Sequence, residues 1–298
     1  MLKIEHVTKK FGDFTAVNDL SLQVEKGEVF GIVGANGAGK TTTFRMILGL
    51  LDPTDGAITW NGEKINYETS GLIGYLPEER GLYPKLTVKE QLLYFARLRG
   101  MKKQDILPKI DYWLDRFHIT QYKHKKAGEL SKGNQQKIQF IYSVLHEPEL
   151  LILDEPFSGL DPINVELLKS AVAEVNAKGT TILFSSHRME HVEEMCQQIA
   201  MFKQGKAIEK GRIREIKQKY GKKVIVLYTE EDLAFLENRN DVLSYEKTPY
   251  GVRIKLKNEQ DSQEIVKEAM KKGFIRKFEL EEPTLNEIFI QKVGEVHD

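Results

Sequence analysis

Gly34-Ala35-Asn36-Gly37-Ala38-Gly39-Lys40-Thr41 is the first stretch whose residue types and spacing could do chemistry. It fits G-x-x-x-x-G-K-[ST], in which glycines let the backbone curl so that successive N–H groups point at the β- and γ-phosphates of a nucleotide. Lys40 would set its ammonium on the phosphate oxygens, and Thr41 would offer its hydroxyl to Mg²⁺. Thr42 could bond a phosphate oxygen one residue further on. A glycine-rich turn with a surface lysine would look similar, yet at average usage the pattern arises by chance in roughly one chain of this length per hundred. Asp154-Glu155, preceded by Leu150-Leu151-Ile152-Leu153 and followed by Pro156, is the second candidate. A carboxylate closing such an apolar run can face the phosphate loop and hold Mg²⁺, while its neighbour polarises a water aligned with the γ-phosphate.

These groups need rigid elements beneath them. Residues 28–33, 150–154 and 180–185 are short, apolar and β-branched, as in strands covered on both faces. Each precedes a helical pattern, over residues 41–50, 163–177 and 188–197, with Pro162 suited to a first helical turn and Gly179 to a helix end. The phosphate loop therefore sits between a buried strand and a helix whose positive dipole end faces the anion. Residues 2–7 and 20–24 alternate apolar with polar side chains and predict an antiparallel sheet. From Val88 to His146 the chain turns helical, with Pro108 opening one segment and Ser131 capping another. The fold class is α/β, a largely parallel sheet with an antiparallel β subdomain and an inserted helical subdomain at about 88–146.

Met201 to Lys223, with nine Lys or Arg against two Glu, reads as an exposed connector. Beyond it the predicted order is strand 224–228, helix 231–238, strands 242–246 and 252–256, helix 262–271 and strand 274–280. That is β-α-β-β-α-β, the ferredoxin-like α+β arrangement, with a last helix over 285–293. The expected domains are 1–220 and 221–298.

Three more stretches complete a pattern: Leu130-Ser131-Lys132-Gly133-Asn134-Gln135, Phe157-Ser158-Gly159-Leu160-Asp161, and an apolar strand ending in Ser185-Ser186-His187. With the phosphate loop and Asp154-Glu155, in this order, the chain resembles the ATP-binding subunit of ABC transporters over about residues 1–215. The resemblance implies a P-loop ATPase core, with Glu155, His187 and Lys40 catalytic. It also implies that Ser131 and Gly133 touch the γ-phosphate of ATP held by an opposite protomer, and that Ser158 and Asp161 link the two sites. Phe11, before Gly12, stands at the family's adenine-stacking position. Glu78, in Leu76-Pro77-Glu78, stands where the family usually carries glutamine, and with Thr41 and Asp154 would ligate Mg²⁺. The signature reads LSKGN where LSGGQ is usual. Both variants, with Gly81 to Val88 and LDEPFSGLDPIN, resemble the branch that includes sodium-extrusion and drug- or antibiotic-export ATPases. The implied partners are a second copy of the chain and an integral membrane permease, with coupling near Glu78. The alternatives are a soluble ABC ATPase acting on ribosomes or DNA, and an ATP-binding regulatory module with little turnover. The first usually carries two cassettes or long coiled coils, which this chain lacks, and Glu155 with His187 argues against the second.

Composition narrows the setting. The chain has 298 residues, 44 basic and 44 acidic side chains and one cysteine. Cys196 cannot form an internal disulfide, and the start lacks the apolar core of a signal peptide, so a cytoplasmic protein is expected; the resemblance implies that its permease holds it at the inner face of the membrane. No apolar run nears the ~20 residues that cross a bilayer. The zero balance argues against binding polyanions with the whole surface, and no nucleic-acid partner is expected. It is a cancellation: residues 1–220 carry 31 basic and 28 acidic groups, residues 221–298 carry 13 and 16.

Overall fold

The computed structural model describes residues 1–66, 69–79, 81–221, 223–231 and 233–294. The chain divides into two compact units, Met1–Lys210 and Gly211–Asp298.

The first unit opens with the hairpin β1 (Leu2–Phe11) and β2 (Phe14–Val24), then enters β3 (Val29–Gly34) and α1 (Lys40–Ile47). It continues through β4 (Asp55–Trp60), β5 (Glu63–Lys64) and β6 (Ile73–Leu76). Three helices follow: α2 (Val88–Leu98), α3 (Lys103–Arg116) and α4 (Lys132–Val144). The chain then alternates β7 (Leu150–Asp154), α5 (Pro162–Ala177), β8 (Thr181–Ser185), α6 (Met189–Met195), β9 (Gln198–Lys203) and β10 (Lys206–Arg212). A six-stranded sheet runs β10-β9-β3-β8-β7-β6, and a four-stranded one runs β2-β1-β4-β5. In the larger sheet β9, β3, β8, β7 and β6 pair in parallel. Every residue of β3, β7 and β8 is buried, as their unbroken apolar sequences require. Leu2, Ile4 and Leu20 of the antiparallel sheet pack in one core with Ile32, Phe44, Ile152 and Leu183. Each fully buried aliphatic side chain there contributes about 1.5–3 kcal/mol. This core makes a stiff floor for the loops leaving the C-terminal ends of β3, β7 and β8.

Some local expectations change. Pro108 lies inside α3 rather than opening it. The carbonyl it leaves without an N–H donor, that of Gln104, belongs to an exposed first turn open to water. Ser131 does cap α4, accepting from the Asn134 N–H at 3.3 Å. The basic segment 201–223 is no simple connector: Met201 and Phe202 are fully buried in β9, where they pair with β3. β10 and α7 (Ile213–Tyr220) follow, and Lys222 lies outside the described residues. The units meet at 210/211, ten residues before the expected boundary.

The second unit adds β11 (Val224–Tyr228), β12 (Val242–Thr248), β13 (Gly251–Leu256), α8 (Ser262–Lys272), β14 (Lys277–Glu281) and α9 (Leu285–Gly294). The sheet order β12-β13-β11-β14, antiparallel where β11 meets β13 and β14 and where β12 meets β13, is ferredoxin-like. The helix expected over 231–238 is a short 3₁₀ turn, Ala234–Asn238. Leu233 and Leu236, three apart and both buried, match a turn of three residues. Asp232 of that expected helix lies outside the described residues. Among the described residues no helix is long and apolar enough to cross a membrane.

Candidate nucleotide-hydrolysis site

The turn from β3 into α1 holds its shape through its glycines. Gly39, with φ at 104°, sits where an added Cβ would lie 2.6 Å from the Ala16 carbonyl oxygen, so no other residue fits. Gly37, at φ 79°, also needs the left-handed region. Ala38 is buried and ties the loop down, its carbonyl accepting from Gly205 N–H at 3.1 Å. Lys40 is buried and its ammonium folds back, donating to the Gly34 carbonyl at 2.6 Å and the Ala35 carbonyl at 3.1 Å. Burial pulls its pKa below the usual lysine value, against the opposing carboxylates of Glu155, Asp154 and Glu78.

A cleft of about 200 Å³ brings together Asn36, Gly37, Gly39, Lys40, Thr41, Thr42, Glu78, Asp154 and Glu155. Asp154 ends β7, and by register stands beside Ser185 at the end of β8. The Ser185 hydroxyl donates to Asp154 Oδ1 at 2.6 Å, while Thr41 Oγ1 lies 3.4 Å from Oδ2. Burial raises the Asp154 pKa; the Ser185 bond opposes this, and the charge of Glu78 adds to it. A second cleft, about 270 Å³, shares Glu155 and adds Ser158, His187 and His191. Across this common wall His187 Nδ1 lies 2.9 Å from Glu155 Oε2. Burial lifts the Glu155 pKa above the usual carboxylate range, opposed chiefly by the His187 hydrogen bond. Glu155 also holds φ at 51°, a left-handed backbone unusual for a non-glycine residue.

Seven expected residues line neither cleft: Gly34, Ala35 and Ala38, which belong to the loop itself, and Phe11, Ser131, Gly133 and Asp161. Ser131 and Gly133 sit at the N-terminal end of α4, and Asp161 caps α5 by accepting from Asn164 N–H at 3.0 Å. Phe11 is half exposed at the end of β1, and its hairpin partner Phe14 lines the phosphate cleft instead. Phe14 and Ser185 are the contributors that sequence reading missed. Ser185 carried a weak signal, a polar residue ending an apolar strand, which gains meaning only when β8 is known to neighbour β7.

The family model for ABC transporters matches residues 17–158. The C-terminal domain of ATP-binding proteins like DrrA1-3 matches residues 211–293. The chain is 57% identical over 298 residues to the uncharacterised ABC transporter ATP-binding protein YhaQ of Bacillus subtilis, covering 100% of both. This chain belongs to the ABC transporter ATP-binding proteins. As a member it binds ATP and is an ATPase. It is 34% identical over 259 residues to the bacitracin transport ATP-binding protein BcrA of Enterococcus faecalis, covering 85% of this chain and 82% of that one. A solved ATP-binding subunit of an ABC transporter superposes with a TM-score of 0.70 at 31% identity, over 74% of this chain and 93% of that one.

Proposed function

We propose that the chain energises export: two copies clamp two Mg-ATP between them, and their closing and reopening drive a separately encoded membrane permease. The observation that carries this reading is the His187–Glu155 contact at 2.9 Å on the wall shared by the two clefts. A carboxylate with a raised pKa is matched to accept a proton from a water aligned with the γ-phosphate, and the imidazole beside it orients that water. Lys40 already donates to loop carbonyls and needs only to swing its ammonium onto arriving phosphate oxygens. Thr41, Asp154 and Glu78 share the cleft as oxygen donors, the ligand type that suits Mg²⁺. A Mg²⁺ ion held by them would neutralise charge on the phosphates. Phe11, half exposed beside Phe14, offers a ring face for the adenine.

Ser131 and Gly133 lie outside the clefts of their own chain, which supports their serving a partner's ATP in an isologous two-fold dimer. Ser158, in the second cleft, and Asp161 beyond it would link the two sites. The likeness to the bacitracin transport protein supports export, and the permease would hold the subunit at the inner face of the membrane. Residues 1–210 are then the ATPase and 211–298 an accessory module.

The test is steady-state ATPase over a wide dilution series, with ATP-dependent mass by light scattering. The expected results are a specific rate that falls on dilution, a dimer trapped in Glu155→Gln by ATP, and turnover of that variant lower by about 10²–10⁴-fold. Hydrolysis by a chain that stays monomeric with ATP, at a specific rate unchanged by dilution, overturns the composite site.

A further inference from the structure

The chain has two tryptophans, and both line one cavity. Its volume, about 710 Å³, falls inside the span of about 300–1,000 Å³ typical of small-molecule sites, and it shares no lining residue with either cleft around Glu155. Trp60 at the end of β4, Trp113 on α3 and Thr181 at the start of β8 build it. It therefore opens at the opposite end of the parallel strands from Asp154.

The chemistry of the wall is selective. Trp60, Trp113, Val144, Leu145 and Val175 are buried and give an apolar body. Of the two lining carboxylates, Glu147 pairs with Lys109 at 2.7 Å, and Glu149 accepts from the neutral Trp60 Nε1 at 2.9 Å and Asn61 at 3.1 Å and keeps its charge. Lys178 pairs with Glu174 at 3.1 Å, its ammonium 5.6 and 5.8 Å above the Tyr112 and Trp113 rings. Two donors lack an acceptor among the described residues, the Lys26 ammonium and the Trp113 indole N–H. Three ammonium groups, of Lys26, Lys109 and Lys178, line the cavity against the two carboxylates of Glu147 and Glu149, and the Lys26 ammonium and Trp113 N–H stand without acceptors among the described residues, so the wall favours an anion.

We propose that this cavity binds a small organic anion, its flat apolar body against Trp60 and Trp113 and its carboxylate or sulfonate on Lys26. The tryptophans make the test direct. Full-length chain, its nucleotide clefts filled with Mg²⁺ and a non-hydrolysable ATP analogue, is titrated with 8-anilino-1-naphthalenesulfonate while energy transfer from tryptophan is followed. The expected result is saturable transfer at one probe per chain, weakened roughly fivefold in Lys26→Glu, with neutral N-phenyl-1-naphthylamine bound by wild type no more tightly than the variant binds the anion. Lys26 is exposed, and unchanged tryptophan emission of the variant without probe verifies its fold. Non-saturable transfer, equal binding by Lys26→Glu, or equal binding of the neutral probe overturns the proposal.

Discussion

Replacing Ser185 by alanine tests how the catalytic floor is held. Ser185 is fully buried, Asp154 is 2% exposed, and the hydroxyl donates to the carboxylate at 2.6 Å. Losing a hydrogen bond to a buried charge costs about 1.5–3 kcal/mol. The same hydroxyl also accepts from the Glu155 N–H at 3.2 Å, but that N–H keeps the Ser185 carbonyl at 3.2 Å, so this loss adds well under ~1 kcal/mol. Ser185→Ala should therefore destabilise the first unit by about 2–3 kcal/mol at pH 7.5. Both tryptophans, Trp60 and Trp113, belong to that unit, so urea unfolding followed by tryptophan emission reads it alone. The penalty must also depend on pH. Burial holds the Asp154 pKa above its unfolded value, so the folded state takes up a proton first as pH falls. Once protonated, the carboxyl gives Ser185 only a neutral bond worth about 1 kcal/mol, and the gap between variant and wild type should shrink as the folded carboxyl takes up its proton. A penalty below ~0.5 kcal/mol at pH 7.5, or one that does not shrink anywhere along the acid limb, would refute the assignment of Ser185 as the group that holds the charged Asp154.

Other consequences are as direct. Burial lowers the His146 pKa from 6.5 to about 4, so the unfolded chain binds the extra proton; stability is complete above 6.5 and falls by up to about 3 kcal/mol as pH drops to 4. Denaturant titrations across that range should show His146→Leu losing much of this slope. Gly39→Ala forces a Cβ to 2.6 Å from the Ala16 carbonyl at φ 104° and should cost about 2–3 kcal/mol and abolish binding of a fluorescent ATP analogue. Glu78→Gln removes one contributor to the raised Asp154 pKa, and analogue binding without Mg²⁺ should tighten roughly threefold to tenfold. Unchanged affinity would mean that Glu78 is screened from the phosphates.

The strand, loop and helix around Lys40 were legible because buried apolar runs and a glycine-rich turn are local signals. So was the C-terminal α+β order, since alternation and turn residues lie within a few positions of each other. Ser185 was not legible as the holder of Asp154: the two are 31 residues apart and meet only through the β7–β8 register. Phe14 was hidden for the same reason, because the pairing of β1 with β2 decides which aromatic faces the cleft. The 3₁₀ turn at Ala234–Asn238 escaped because apolar residues three apart also fit an α-helical face. Pro108 misled because proline suits a helix start, and its rank within α3 depends on where Lys102 ends the preceding turn.

The left-handed backbone of Glu155 carries an evolutionary cost. A non-glycine residue at φ 51° forfeits about 1 kcal/mol, and the buried carboxylate adds desolvation that nothing in the resting chain fully repays. Glycine or asparagine would relax both. A population screened for thermal resistance alone should drift towards those residues at position 155, and the proposed role of Glu155 predicts that ATP turnover falls with it.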